Sequence, residues 1–238
     1  MRVAAVQFKA DQADLDGSRH RLLALATEAA QGADLVVLPE MATTGYLFES
    51  PAAVAAVAEK ADGPTYTLLA AVAAQAGCWL VAGFPERDRG RLYNSAWVID
   101  PRGALQFVYR KTLLFDADLP WATPGNSGYR RFETGAGAFG VGICMDLNDD
   151  DFVTWCRGAD LDAIAFPTAW LEQGINVWRY WAWRLPRVAA ALVAANTYGW
   201  ERGIQFSGRS AILQQSRILA GAGLVGDHIL RGTTAARQ

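Results

Sequence analysis

Three apolar runs in this chain each end in one side chain that can do chemistry. Cys144 closes Gly140-Val141-Gly142-Ile143-Cys144 and is followed by Met145-Asp146. Glu40 closes Leu35-Val36-Val37-Leu38-Pro39-Glu40, and Lys111 closes Phe107-Val108-Tyr109-Arg110-Lys111. Read as strands, the three runs deliver a nucleophile, an acid and a base onto turns. That set can open an amide with no metal, organic cofactor or histidine. Amide hydrolysis needs a nucleophile, a proton shuttle and a group that stabilises the tetrahedral oxyanion. Cys144 is the candidate nucleophile, and a free thiol with a pKa of about 8.5 is made more reactive by a neighbouring cation such as Lys111. Glu40 can take the thiol proton and pass it to the leaving amine. Backbone N–H groups in the turn after Cys144 can form part of an oxyanion hole.

Each residue also has a plain reading. Cys144 alone reads equally well as a small buried hydrophobe, Glu40 alone as a loop acid, and Lys111 alone as a surface charge. Their joint placement shifts the balance, because ligands of α/β sheets gather beside the carboxyl ends of strands.

The elements that must position them alternate between strand and helix. Arg2 to Phe8 reads as a strand, and 16–31 has helical apolar spacing through Leu22, Leu23, Leu25 and Ala26, with Gly32 as a stop. Alanine-rich helices follow near 51–60 and 64–76. Strands are expected near 78–84, 92–99, 104–109, 138–143, 162–166 and 190–195, with helices near 149–157 and 176–187. Two short strands over 209–214 and 217–220 share a tight turn. The segment 112–129 holds Pro120, Pro124, Gly125 and Gly128 in an irregular loop, and so long a loop inside a compact domain is often functional. No linker or repeat divides the chain, so it reads as one layered α/β domain with both strand types allowed. The tail from Thr233 to Gln238 reads as disordered.

Composition narrows the class. The chain has 238 residues and buries roughly 70–75% of its unfolded surface at that size, so it needs no disulfide staple. At 52% hydrophobic and 19% charged it is not a disordered chain. A net charge of -2 without Lys/Arg runs argues against a nucleic-acid partner or a membrane surface. No stretch approaches the ~20 apolar residues of a membrane span, and the apolar start is too short for a signal peptide. Three cysteines without paired spacing fit reduced thiols in a cytoplasm.

The three segments, with their flanks, resemble the signature of the nitrilase, or carbon–nitrogen hydrolase, superfamily. Leu38-Pro39-Glu40 with Thr44-Gly45-Tyr46 resembles its acid motif. Tyr109-Arg110-Lys111 with Phe115, Pro124 and Gly125 resembles its lysine motif, and Gly142-Ile143-Cys144-Met145-Asp146 its nucleophile motif. The likeness continues through Phe166-Pro167-Thr168-Ala169-Trp170, Ala194-Ala195-Asn196 and Gly208-Arg209-Ser210, and so covers nearly the whole chain. It implies a four-layer αββα sandwich that forms a homodimer or a higher homo-oligomer. It implies a small-molecule amide substrate, a thioester on Cys144, Glu40 as general base and then acid, and Lys111 with the Met145 N–H as oxyanion donors. No cofactor is implied.

Departures from the family pattern bear on substrate. Asp118 stands where many members carry a second glutamate, seven residues after the lysine. Leu113 replaces a frequent histidine. The helix run Arg184-Leu185-Pro186-Arg187-Val188 lacks the usual acid and amide. Met145-Asp146 replaces the Trp-Glu of true nitrilases and favours amides over nitriles. Small aliphatic amides, omega-amides and peptides with N-terminal Asn or Gln all stay open. Nitrilase or N-carbamoyl hydrolase activity, or a silent binding scaffold, are the alternatives.

Other features read as structural. The runs 135–140 and 221–226 match a glycine-rich dinucleotide fingerprint, but neither lies between a strand and a helix as nucleotide binding requires. His20 on the first helix and His228 in a C-terminal loop lack metal-ligand spacing, so no zinc site is expected. Cys78 and Cys156 read as core. The aromatic cluster Trp170, Trp178, Tyr180, Trp181 and Trp183 reads mainly as core or interface. Trp170 and Tyr46 are the candidates for a substrate wall, and Asn94 for a hydrogen bond near the lysine.

Overall fold

Alternate residues of the first strand bury on opposite sides. In β1 (Arg2–Gln7), Val3 and Ala5 join one apolar cluster while Ala4 and Val6 join another. A strand covered on both faces belongs to an inner layer. The computed structural model describes residues 1–235 and builds that layer twice.

The first sheet runs in the order β14 (His228–Thr233), β1, β2 (Leu35–Val37), β3 (Trp79–Asp88), β4 (Arg91–Ile99) and β5 (Leu105–Arg110). The second runs β13 (Arg217–Gly221), β12 (Ala211–Gln214), β9 (Ala191–Asn196), β8 (Ala163–Thr168), β7 (Gly137–Val141) and β6 (Arg131–Thr134). Both sheets are mixed. The strands β1, β2 and β3 pair in parallel, as do β7, β8 and β9, while antiparallel strands flank them. Val37, Val81, Val98, Ala165 and Val193 share the apolar layer between the sheets.

Helices cover the outer faces. Helix α1 (Leu15–Ala30) buries Leu22, Ala26, Ala29 and Ala30, and α3 (Pro64–Ala76) buries Leu69 and Ala73. Their small alanines let the helices lie close to the first sheet. On the second sheet, α4 (Asp150–Gly158) buries Phe152 and Cys156, and α5 (Val177–Arg184) buries Trp181. The short α2 (Pro51–Val57) lies beyond the turn that follows Glu40. The order helix, sheet, sheet, helix is the four-layer αββα sandwich that the motifs implied, in one domain. Each fully buried Val, Leu, Ile or Phe in these layers contributes about 1.5–3 kcal/mol.

Several expectations need correction. The helix expected over 176–187 stops at Arg184, because proline at 186 disfavours helical geometry at Leu185, which has φ −110° and ψ 49°. A hairpin of β10 (Tyr198–Glu201) and β11 (Ile204–Ser207) was not anticipated, nor was β6. His228 opens β14 rather than lying in a loop, and it pairs with Gln7. Thr233 pairs with Arg2, and Thr234 donates its N–H to the Met1 carbonyl at 2.9 Å, so the expected disordered tail does not begin at Thr233. Residues 236–238 lie outside the described residues. No helix among the described residues is long and apolar enough to cross a membrane.

Candidate active site

Glu40 leaves β2 through a peptide clipped to β3. The Gly83 N–H bonds the Pro39 carbonyl at 3.0 Å, and the Ala42 N–H bonds the Gly83 carbonyl at 2.9 Å. A side chain at Gly83 would put its Cβ 2.5 Å from the Glu40 Cα, so only glycine permits this approach. The Glu40 side chain is buried with every oxygen held. Its Oε1 accepts from Lys111 Nζ at 2.8 Å and from Asn94 Nδ2 at 2.7 Å, and its Oε2 accepts from the Ala169 N–H at 2.7 Å.

Lys111 follows β5 and is fully buried. Its second partner, Asp118, comes from the irregular loop after it. The Phe115 carbonyl accepts from the Asp118 N–H at 2.8 Å, and the Phe115 N–H donates to Asp118 Oδ2 at 3.0 Å. This tight turn aims the carboxylate back at Lys111 Nζ, 2.5 Å away. Asp118 Oδ1 accepts from Asn94 at 3.0 Å and from the Tyr46 hydroxyl at 3.1 Å. Asn94 therefore bridges both carboxylates. Tyr46 packs beside Lys111 and holds Asp118. It is not a wall of the cavity described below.

Cys144 starts the short 3₁₀ turn Cys144–Asn148 after β7. Its φ of +44° is left-handed, a strained geometry for a non-glycine residue. Asp146 holds the turn in place. Its Oδ2 accepts from the Ile143 N–H at 2.8 Å and the Tyr109 hydroxyl at 2.7 Å. Its Oδ1 accepts from the N–H groups of Thr112 and Leu113 at 2.9 and 2.8 Å. One buried carboxylate thus ties the Cys144 turn to the loop that follows Lys111. Met145 is the second residue of the turn, where N–H groups have no acceptor within the helix.

The Cys144 turn opens on a cavity of about 180 Å³. Phe115, Met145, Ala169, Trp170, Leu171 and Tyr180 line it, with the amides of Asn148 and Gln173. The Trp170 ring stands edge-on to Trp181 at 5.9 Å and beside Tyr180 at 5.5 Å, so it serves wall and core together. Trp178 packs over Gly221 and donates to the Arg209 carbonyl, away from the cavity.

Burial dominates the electrostatics. It pushes the Cys144 thiol well above its ordinary pKa, and Glu40 adds to the effect. Lys111, the Thr168 hydroxyl and the Ala169 N–H offset only part of it. Lys111 does pull the thiol down, as a neighbouring cation is expected to, but burial outweighs it. Burial likewise raises Glu40 above the usual carboxylate value against the pull of Lys111. Burial disfavours charge on Lys111, but Glu40 and Asp118 hold its pKa well above the ordinary lysine value. Asp146 rises to about 6 by burial, against the N–H donors that favour its charge.

Three supporting residues escaped sequence reasoning. Asp146 was read only as a motif neighbour. Glu201 accepts the N–H groups of Tyr46 and Leu47, each at 3.0 Å, and so fixes the loop after Glu40. Asn196 accepts the Trp170 N–H at 2.8 Å and donates to Ser207 and Gly208. An acid or amide at the carboxyl end of an apolar strand was the available signal for Asn196. Among the described residues, no three His, Cys, Asp or Glu side chains form a group fit to hold a metal ion.

The family model for carbon–nitrogen hydrolases matches residues 2–231. This chain belongs to the carbon–nitrogen hydrolase family. It is an enzyme that hydrolyses carbon–nitrogen bonds. A protein named nitrilase from Pyrococcus abyssi is 36% identical over 219 residues, which are 89% of this chain and 80% of that protein. The protein N-terminal amidase of Saccharomyces cerevisiae is 27% identical over 206 residues, 72% of this chain but only 45% of its own length. An amidase structure from Nesterenkonia sp. superposes with a TM-score of 0.82 at 22% identity, covering 98% of this hydrolase and 89% of that one, and shows the same fold.

Proposed function

We propose that this carbon–nitrogen hydrolase is an amidase that works through a cysteine thioester. Glu40 takes the Cys144 thiol proton as sulfur attacks the amide carbonyl. The tetrahedral oxyanion is met by Lys111 and the Met145 N–H. Glu40 then returns the proton to the departing nitrogen, the C–N bond breaks and ammonia leaves. A water, deprotonated by Glu40, attacks the thioester carbonyl. The C–S bond breaks, the carboxylic acid departs and the thiol is restored.

The observation that carries this reading is the convergence of three strand ends. A strained Cys144 opens on a cavity, while Glu40 and Lys111 stand in one buried network 2.8 Å apart. Asp118 takes the supporting role by holding Lys111 alongside Glu40. Wall residue Trp170 bounds the acyl group, and Tyr46 acts on the substrate only through Asp118. We further propose that the enzyme works as a homodimer or higher homo-oligomer, supported by the exposed Trp183 on α5. A cytoplasmic setting is supported by three cysteines that are all free and buried.

The test is ammonia release from a panel of amides, nitriles and N-carbamoyl compounds, with Cys144→Ala alongside. Cysteine-dependent turnover of amides is the expected result. Carbon dioxide released with ammonia, or preference for nitriles, would replace the amidase reading. Turnover by Cys144→Ala would remove the thioester.

A further inference from the structure

The charge inventory around the cavity points to a narrower substrate class. Among the described residues that line it, none carries a formal charge. The polar groups in the wall are partly spent on each other. The Tyr180 hydroxyl donates to Asn148 Oδ1 at 2.6 Å, and Asn148 Nδ2 leans on the Met145 sulfur at 3.2 Å. The rest of the inner wall is Phe115, Ala169, Trp170 and Leu171.

Several charged residues near this site are already paired. Lys111 bonds both Glu40 and Asp118. Asp146 accepts four donors from the protein itself. At the rim, Glu172 pairs with Arg209 at 2.8 Å and also accepts the Gly174 N–H at 2.9 Å. Behind the Cys144 turn, Arg184 bonds Asp150 at 2.8 Å and the Leu147 carbonyl at 2.9 Å. None of these side chains lines the cavity itself, and each is held by a partner within the protein. Burying a charge without a counter-charge is costly.

We infer that the substrate is the amide of a short acyl group that carries no charge. This rests on the amidase reading and deepens it. At about 180 Å³ the cavity lies below the usual range of roughly 300–1,000 Å³ for ligand pockets, which fits a short acyl group. The same inventory disfavours omega-amides, whose far end is a carboxylate, and peptide amides, whose α-ammonium lies close to the reacting carbonyl. Gln173 is the position that decides this most simply. It lines the cavity, lies exposed at the rim and carries a neutral amide, so a charge introduced there would stand beside the acyl group.

The test compares chain-matched substrates: butyramide against succinamate for negative charge, and butyramide against 4-aminobutanamide for positive charge. Cys144→Ala serves as the blank. The expected kcat/KM ratio favours the neutral amide by at least about 100-fold in each pair, since the charged end meets no partner. Gln173→Arg tests whether charge rather than shape is responsible. It is expected to narrow the butyramide-to-succinamate ratio at least fivefold and to leave the aminobutanamide pair no narrower. Equal or better turnover of either charged substrate by the native enzyme would overturn this inference while leaving the amidase standing. An unchanged ratio in Gln173→Arg would overturn it as well. Absence of cysteine-dependent turnover of every amide would remove the amidase reading and this inference together.

Discussion

Lys111 Nζ stands 2.5 Å from Asp118 Oδ2 and 2.8 Å from Glu40 Oε1, with all three side chains out of water. The lysine is a shared cation that keeps two buried carboxylates compatible. A shorter acid in place of the family's more common glutamate still reaches it, because the Phe115–Asp118 turn folds the loop back. Replacing Asp118 with Asn keeps the shape and removes one charge. Charge-assisted bonds are worth about 1.5–3 kcal/mol, so kcat/KM of Asp118→Asn should fall roughly 10- to 150-fold. Asp118→Ala leaves Lys111 paired with Glu40 but removes the acceptor of Asn94, Tyr46 and the Phe115 N–H, and should cost about 1–3 kcal/mol of stability, read by denaturant unfolding. Near-native kinetics in Asp118→Asn would show that the second carboxylate is dispensable.

In the proposed mechanism Glu40 sets the acid side of the pH profile. Burial raises its pKa above the ordinary value of 4.5, so the base form develops only at higher pH than for an exposed glutamate. The sign follows directly: kcat/KM should climb as pH rises through that raised value and then level off. Glu40→Gln should lose this limb along with about 10²–10⁴-fold in rate. A midpoint at or below the ordinary carboxylate value would mean that another group is the base.

How much of this was readable in advance depended on distance along the chain. Glu40, Lys111 and Cys144 were legible because each ends an apolar run, and the local pattern carries that information. The partners of Asp146 were not, since it accepts N–H groups from residues 33 and 34 positions away. Glu201 lies 155 residues from Tyr46, whose N–H it holds, and sits in a four-residue strand too short to show a period. The end of α5 was different. Pro186 is a stop visible in the sequence, and the helix expected over 176–187 runs past it.

Asp146 offers a test of that hidden support. Asn at this position keeps one acceptor oxygen and turns an amide group towards donors that need an acceptor. The Tyr109 hydroxyl can turn to accept from that amide, but the Ile143 N–H cannot, so at least one buried donor is left unsatisfied at about 1–3 kcal/mol. Asp146→Asn should therefore lose roughly 1–3 kcal/mol of stability by chemical denaturation. It should also slow alkylation of Cys144, because the turn that presents the thiol loses its tie. Unchanged stability would mean that water replaces the lost acceptor.

Gly83 makes a prediction from packing alone. It lies one strand away from Glu40 and has no chemical group, yet an added Cβ would fall 2.5 Å from the Glu40 Cα. The backbone around Glu40 must move to admit even alanine. Overpacking of this kind costs typically about 1–3 kcal/mol. Gly83→Ala should lose that much stability and also lower kcat, by displacing the proton shuttle. Equal kcat in a folded Gly83→Ala enzyme would show that Glu40 tolerates displacement.

The state of the Cys144 thiol decides between two chemistries. If the resting enzyme held a thiolate beside Lys111, alkylation would be fast near neutral pH and nearly indifferent to Glu40. The surroundings favour the opposite. Burial and Glu40 push the thiol up, and Lys111, already shared by two carboxylates, cannot bring it back. The proton must then move to Glu40 as sulfur attacks, and the two groups act as one. Alkylation of Cys144 by a neutral reagent should be slow, should rise with pH in parallel with kcat/KM, and should drop at least about tenfold in Glu40→Gln, since general-base help is worth that much or more. Ultraviolet thiolate absorbance at neutral pH should match that of Cys144→Ala. A thiolate signal lost only in Cys144→Ala, with alkylation unaffected by Glu40→Gln, would mean a preformed ion pair and reduce Glu40 to protonating the leaving nitrogen.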